Sequence, residues 1–159
     1  IAATLSESRN FSTEDFAKSH PNGSLGKRLL LKVSDIMHTG DQVPKIKPDQ
    51  MLSEGLIEIS QKSLGMVAII DDKNHVIGIF TDGDLRRSLD AKIDIHKTSM
   101  KEVMSPNFKC ASSEMLAMDS MKLLKEFKIT HLLITNESNN LLGALNIHDL
   151  LQAGIVRSI

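Results

Sequence analysis

Apolar and polar residues follow one another along the chain in an order that predicts short helices and strands. Between residues 53 and 62, apolar side chains recur at the spacing of one helical face, which predicts an amphipathic helix. The apolar runs 66–70 and 76–80 are separated by a polar cluster typical of hairpin turns, so they predict two strands. A short closing helix is predicted over 85–89. The pattern therefore predicts helix, strand, turn, strand and helix.

This order occurs twice in the chain. Gly78 and Asp84 are matched by Gly143 and Asp149 at a constant offset of 65 residues, and the strands around them match at the same offset. Self-similarity of this kind indicates a repeated structural unit. The sequence therefore predicts an α/β (α+β) fold that contains two β-α-β-β-α units.

Each unit is preceded by a short lead that ends in methionine. Met37 closes the first lead and Met104 the second. Pro44 and Pro48 bracket an extended segment after the first lead, because proline is excluded from helix interiors. The second unit also carries Met115, Met118, Met121 and Leu124 at helical spacing, which we interpret as an adaptable core face.

The junction between the second strand and the closing helix is the candidate site. Backbone N–H groups and the positive end of the helix dipole meet there, which favours an anion. Thr81 can bond a phosphate oxygen, and Asp84 can accept the hydroxyls of a ribose. The alternative is a capping box, in which both side chains satisfy the helix itself. Asn146 and Asp149 occupy the matched junction of the second unit.

Two further features can have either an ordinary structural role or a functional one. Arg86 and Arg87 follow the first junction, where arginines are usually solvated but can clamp a phosphate. Cys110 is the single cysteine, and we interpret it as an inert, half-buried thiol. The six histidines are scattered, so we expect no metal site, and the sequence indicates no cofactor.

Composition narrows the function classes. The net charge of −1 and an aromatic content of 3%, with no Trp or Tyr, argue against a nucleic-acid partner. No apolar run approaches the length of a membrane span, and we expect a cytoplasmic protein. The chain starts without Met inside a helical pattern, which we interpret as a cut within a longer polypeptide.

The doubled unit, its lead methionines and the Gly-h-h-Thr-x-x-Asp pattern resemble a tandem pair of cystathionine-β-synthase (CBS) domains, called a Bateman module. The resemblance implies two units related by a pseudo-twofold axis, with two clefts for adenosine-type nucleotides. It implies that Thr81 and Asp84 bind the phosphate and the ribose in the first cleft. Asn146 departs from the Thr or Ser usual in the second cleft, although Asp149 is kept. His131 lies where the family often places a basic ligand contact, or it is an ordinary strand histidine.

The leader before residue 33 resembles the junction in bacterial arabinose-5-phosphate isomerases of the KpsF/GutQ type, with Asn22 in place of the usual glycine. The matching residues are Ser19, His20, Pro21, Gly23, Leu25, Gly26, Lys27 and Arg28. This resemblance implies that 1–32 is the tail of a sugar-isomerase (SIS) domain with its linker, 33–95 the first CBS domain and 96–159 the second. It also implies a catalytic acid-base role for His20 in the full-length enzyme, which converts ribulose 5-phosphate to arabinose 5-phosphate on the route to Kdo and lipopolysaccharide.

Three functions stay open at this point. In the first, the chain is a regulatory module that senses AMP, ATP or a nucleotide sugar such as CMP-Kdo. In the second, it is an enzyme in its own right. In the third, it is a purely structural dimerisation module with empty clefts. We favour the first, because the sequence shows no catalytic constellation. We expect this chain alone to be inactive as an isomerase, and we expect it to form a homodimer. A CBS pair from another sugar-phosphate isomerase is a further alternative.

Overall fold

A computed structural model describes residues 25–155 of the chain. His20 and most of the predicted 1–32 segment therefore lie outside the described residues. In chain order the elements are helix α1 (Leu25–Leu30), helix α2 (Val33–Ile36), a 3₁₀ turn (Gly40–Gln42), strand β1 (Lys45–Ile46), helix α3 (Leu52–Lys62), strands β2 (Met66–Ile70) and β3 (Val76–Thr81), helix α4 (Asp82–Asp90), helix α5 (Met100–Val103), strand β4 (Cys110–Ala111), helix α6 (Ala117–Phe127), strands β5 (His131–Thr135) and β6 (Leu141–Asn146), and helix α7 (Ile147–Gln152).

The two units have the same three-stranded sheet. In each, a short first strand pairs parallel with the second, which pairs antiparallel with the third. Ala68 pairs with Ile79 in one sheet, and Leu133 pairs with Ala144 at the matched position of the other. The predicted α/β fold with a doubled β-α-β-β-α unit is confirmed. The closing helix begins three residues earlier than predicted, at Asp82, because Thr81 already caps it.

The two sheets meet at a shared apolar interface. Its buried side chains come from both units, with Met66, Ala68 and Val76 on one side and Leu133 and Ala144 on the other. Burial of apolar surface between the two faces is the dominant stabilising contribution to such an interface. The units therefore form one body.

The two hairpin turns are joined by a symmetric pair of hydrogen bonds. The Asn74 side chain donates to the Leu141 carbonyl at 3.1 Å, and the Asn139 side chain donates to the Val76 carbonyl at 2.9 Å. Both asparagines adopt left-handed backbone conformations, with φ of 65° and 64°, which asparagine tolerates better than most residues. Each contact is returned by its counterpart 65 residues away, which is the pattern of a twofold interface.

The lead segments cross from one unit to the other. Helix α2 packs with the core of the second unit, where the Val33 N–H donates to the Met115 carbonyl at 2.7 Å. Helix α5 packs with the core of the first unit. A Cβ on Gly143 would lie 2.7 Å from the sulfur of Met37, and one on Gly78 would lie 2.5 Å from the sulfur of Met104. The repeated Met and Gly therefore meet across the two units.

Two smaller predictions also fit the described structure. Met121 and Leu124 are buried in the second core and Met115 and Met118 pack against it, so the methionine row is core. Cys110 is half-buried, and burial raises the pKa of its thiol against a smaller, opposite effect of a hydrogen bond with Thr135. A raised thiol pKa leaves little thiolate at neutral pH and makes this cysteine a poor nucleophile.

Candidate functional site

The first strand-to-helix junction forms a complete capping box. The Asp84 N–H donates to Thr81 Oγ1 at 3.3 Å, and the Thr81 N–H donates to Asp84 Oδ2 at 2.9 Å. The Thr81 hydroxyl also donates to Asp84 Oδ2 at 3.2 Å. The capping interpretation is therefore realised in the structure, and any ligand has to share these atoms with the helix.

The second junction has the same geometry with a different cap. Asn146 Oδ1 accepts the Asp149 N–H at 3.1 Å, and the Asn146 N–H donates to Asp149 Oδ2 at 2.8 Å. Asparagine is as good a helix cap as threonine. The departure at Asn146 therefore leaves the helix start intact, and it changes only the group presented to a ligand.

A cleft of about 1000 Å³ opens at the first junction, between the two units. The first unit contributes the end of α3 and the β3-α4 junction. The second unit contributes residues 105, 107–109 and 127–131, together with residues 146–148 at its own β6-α7 junction. Four of the five predicted ligand residues lie on its wall, namely Thr81, Asp84, His131 and Asn146. The fifth, Asp149, does not line the cleft, although Asn146 of the same second junction does. The fold therefore brings together side chains that are far apart in sequence.

Positive charge collects in this cleft. Arg87, Lys109 and Lys128 line it, beside the carboxylates of Asp82 and Asp84. The Arg87 guanidinium pairs with Asp84 Oδ1, but its side chain is 73% exposed, so the pair contributes little to stability. The Lys109 ammonium lies 4.2 Å from the centroid of the Phe127 ring. Of the two candidate arginines, Arg87 lines the cleft and Arg86 does not.

The start of helix α4 forms one wall of the cleft. The Asp82 N–H donates to the Gly65 carbonyl at 3.2 Å, and the Asp84 N–H is capped by Thr81. Gly83 lies between them and lines the cleft, with the Thr81 hydroxyl and the Arg87 guanidinium as the nearest side-chain groups to it. The second N–H of a helix has no partner within the helix, and the helix dipole favours negative charge here. This wall is suited to a phosphate group.

His131 lines the same cleft and is half-buried at the start of β5. Its Nδ1 is 3.0 Å from Thr130 Oγ1, and its Nε2 is 2.9 Å from the point where a Cβ on Gly65 would lie. Burial lowers the pKa of His131, while the charge of Asp82 and a hydrogen bond to the Leu64 backbone act in the opposite direction. The lowered pKa keeps the imidazole largely neutral at neutral pH.

The lowered pKa of His131 predicts a pH-dependent loss of stability. Between the folded pKa and the unfolded value of 6.5, the unfolded chain binds more protons than the folded chain. Stability should therefore fall as pH drops below about 6.5, and it should be restored above that value. Urea unfolding of wild type and His131→Gln at about pH 7.5 and about pH 5.5 measures this. The substitution should reduce the loss, and equal losses in both proteins would contradict the assignment.

The sequence singled out His131 and Asn146 from the second unit, but it did not single out the two lysines that this unit contributes to the cleft. Lys109 and Lys128 are distant from Thr81 along the chain, and only the packing of the two units brings them opposite it. Lys128 ends helix α6 in a left-handed conformation, with φ of 54°, and Ser63 ends α3 in the same way. That repeated helix end was the available signal.

His38 was also missed, and it occupies the second junction. Its Nε2 lies 2.9 Å from Asp149 Oδ1. The available signal was the repeat itself, because His38 follows Met37 as Ser105 follows Met104.

Two observations concern other kinds of function. Within residues 25–155, no group of three or more His, Cys, Asp or Glu is arranged to hold a metal ion. None of the helices described in that range is long and apolar enough to cross a membrane.

The doubled unit with its cleft defines the class of protein. The CBS domain family model matches residues 33–91 and 100–155, so this chain belongs to the CBS-domain family and carries two copies. Over 156 residues it is 44% identical to arabinose 5-phosphate isomerase KdsD of Pseudomonas aeruginosa, covering 98% of this chain and 48% of that protein. The chain thus spans about half the length of the curated relatives it matches.

Solved structures of CBS pairs share the fold. The crystal structure of CBSX2 in complex with AMP is similar with a TM-score of 0.67 and 22% identity, covering 78% of this chain and 96% of that one. A CBS domain pair in complex with 5′-methylthioadenosine and S-adenosyl-L-methionine gives a TM-score of 0.70 at 15% identity, covering 77% and 94%. These likenesses concern the fold alone.

Proposed function

We propose that this chain is the regulatory, nucleotide-binding CBS pair of an arabinose 5-phosphate isomerase, and that the nucleotide binds in the first cleft. The observation that carries the proposal is the convergence of a capped helix start, three basic side chains and His131 on one cleft between the units. A pocket of this size that combines apolar side chains with converging polar groups is suited to a small molecule that has an apolar part and a charged part.

The phosphate is proposed to sit against Thr81 and Gly83. The Thr81 hydroxyl can turn from Asp84 to a phosphate oxygen, since hydroxyls rotate to suit their partners. Arg87 can swing away from Asp84 and pair with the phosphate, because the arginine side chain is 73% exposed. That movement frees Asp84 Oδ1 to accept the ribose hydroxyls.

The base is proposed to lie on the apolar part of the cleft, against Ile79, Phe108 and Ile129. His131 lines the cleft, and an anion that binds beside it would favour the protonated form of its imidazole. Once protonated, the imidazole can donate a hydrogen bond to the phosphate, and its positive charge strengthens that bond. We therefore assign His131 an accessory role in holding the phosphate.

The proposed parent activity follows from the relatives. Their name is arabinose 5-phosphate isomerase, and the present chain corresponds to about half of their length. We propose that the parent enzyme converts ribulose 5-phosphate to arabinose 5-phosphate in the cytoplasm, on the route to Kdo. The domain boundaries at 32 and 95, and the catalytic role of His20, remain part of this proposal.

Calorimetric titration with a nucleotide panel tests the proposed function. AMP is the first candidate, because a CBS-pair protein of the same fold was crystallised with it, and ATP and CMP-Kdo are the others. We expect saturable binding of at least one of the three by the wild-type chain. Heats that equal dilution for all three would contradict the proposal.

A second candidate function is structural. Both capping boxes are complete without a ligand, so neither helix start needs a bound molecule to satisfy its N–H groups. Leu89 on α4 and Leu151 near the end of α7 are 58% and 47% exposed, and we propose that these helix edges contribute to a homodimer. Sedimentation of the wild-type chain measures the dimer, and it would be compatible with either function.

A further inference from the structure

The residue that follows each lead methionine occupies the same place in both units. The N–H of His38 donates to the Ala144 carbonyl at 2.8 Å, and that of Ser105 donates to the Ile79 carbonyl at 2.8 Å. The return bonds, from Ala144 to His38 and from Ile79 to Ser105, measure 3.1 and 2.9 Å. Since Ile79 and Ala144 are themselves matched positions, each lead places one side chain beside one junction.

At the second junction this side chain pairs with the matched aspartate. The His38 ring donates from Nε2 to Asp149 Oδ1 at 2.9 Å, since a carboxylate can only accept. Asp149 Oδ2 already accepts the Asn146 N–H, so both oxygens of the carboxylate are engaged. The oxygen that corresponds to the proposed ribose acceptor of the first cleft is therefore occupied by the protein itself.

The matching position at the first junction is open. Ser105 lines the first cleft, and its hydroxyl donates to the Asn107 carbonyl at 3.2 Å and not to Asp84. The partner of Asp84 is Arg87, a long side chain 73% exposed and free to move toward a phosphate. His38, by contrast, is short, has a side chain only 30% exposed, and is fixed by backbone bonds to β6. Displacing Arg87 is therefore easier than displacing His38.

The two clefts also differ in charge. The residues at the positions matched to Arg87, Lys128 and His131 of the first cleft are, in that order, Gln152, Ser63 and Met66. At these three matched positions the second junction therefore has no cation to compensate a phosphate. The imidazole of His38, which lies at that junction, is paired with Asp149.

We propose that His38 closes the second cleft, so that the pair binds one nucleotide per chain. The inference rests on the proposed function, because it takes an adenosine nucleotide as the ligand of the first cleft. His38 is then the residue that makes two sequence-matched clefts unequal. It acts by occupying Asp149, and the lead that carries it comes from the opposite unit.

Exchanging the two matched residues tests this proposal. In calorimetric titrations with AMP, wild type should bind one equivalent. His38→Ser should add a second, weaker site, because serine is the residue that leaves the first cleft open. Ser105→His should weaken binding at the first cleft by about tenfold or more, because the new ring can pair with Asp84. Both variants keep the backbone bonds of the lead, and circular dichroism checks that each is folded.

The outcomes separate this proposal from the proposed function. Two equivalents bound by wild type, one equivalent bound by His38→Ser, or unchanged affinity in Ser105→His would each overturn the role of His38 and leave nucleotide binding standing. Binding by His38→Ser alone, with none by wild type, would support the role of His38 and overturn the first cleft as the site. Absence of binding in all three proteins would overturn the proposed function.

Discussion

Replacing Asp84 with Asn is expected to weaken AMP binding by about 1 to 3 kcal/mol, the range for a hydrogen bond to a charged group. Asparagine keeps the shape of the side chain, but it offers one weaker acceptor in place of two charged oxygens. In the proposed complex, Oδ1 accepts the ribose hydroxyls after Arg87 has moved to the phosphate. Calorimetry on the two proteins gives the difference directly.

The matched control is Asp149→Asn in the second unit. Its carboxylate makes the same bond to the start of its helix, and its other oxygen is paired with His38. We expect this variant to bind AMP as wild type does. If Asp84 were only a cap, Asp84→Asn would instead lower fold stability by up to about 1 kcal/mol and leave affinity alone. Loss of binding in Asp149→Asn with none in Asp84→Asn would show that the site is the other cleft.

Replacing Gly143 with Ala is expected to lower the free energy of unfolding by about 1 to 3 kcal/mol, the usual cost of overpacking. The new Cβ would lie 2.7 Å from the His38 carbonyl oxygen and 2.7 Å from the Met37 sulfur. The methionine can turn aside, but the backbone carbonyl is held by its bond to Ala144. The crossed lead must therefore shift. Urea unfolding of the variant measures the loss.

Gly83→Ala is the matched control for this substitution. A Cβ there would meet nothing closer than 3.6 Å, and the residue lies in the first turn of helix α4. Alanine favours helix over glycine by up to about 1 kcal/mol, so this variant should be as stable as wild type or more so. If Gly143→Ala were equally well tolerated, the crossed packing of the leads would be wrong.

The order of elements was predictable because each unit carries its own local signals. Amphipathic spacing, turn residues and the Thr81 cap depend on neighbours in sequence, and the structure confirms the elements they predicted. The crossing of the leads was not predictable in the same way. A repeat shows that Met37 and Met104 are equivalent, but not whether each packs on its own Gly or on that of the other unit.

Some residues of the candidate site were predictable from local sequence, and others were not. Thr81 and Asp84 could be singled out because a capping box joins two residues only three positions apart in the sequence. Lys109 and Lys128 could not, because their place opposite Thr81 is set by the sheet-to-sheet interface. His38 carried a signal in its repeated position, but its partner Asp149 is 111 residues away. Only the fold shows which residues share a cleft.

Amide NMR spectra of the wild-type chain titrated with AMP show whether the first cleft binds the nucleotide. We expect chemical shifts to change at Thr81, Gly83, Thr130 and His131, on both sides of the first cleft. Resonances of His38 and Asp149, at the second junction, should stay nearly constant. Shift changes confined to His38 and Asp149, or none at saturating AMP, would contradict nucleotide binding in the first cleft.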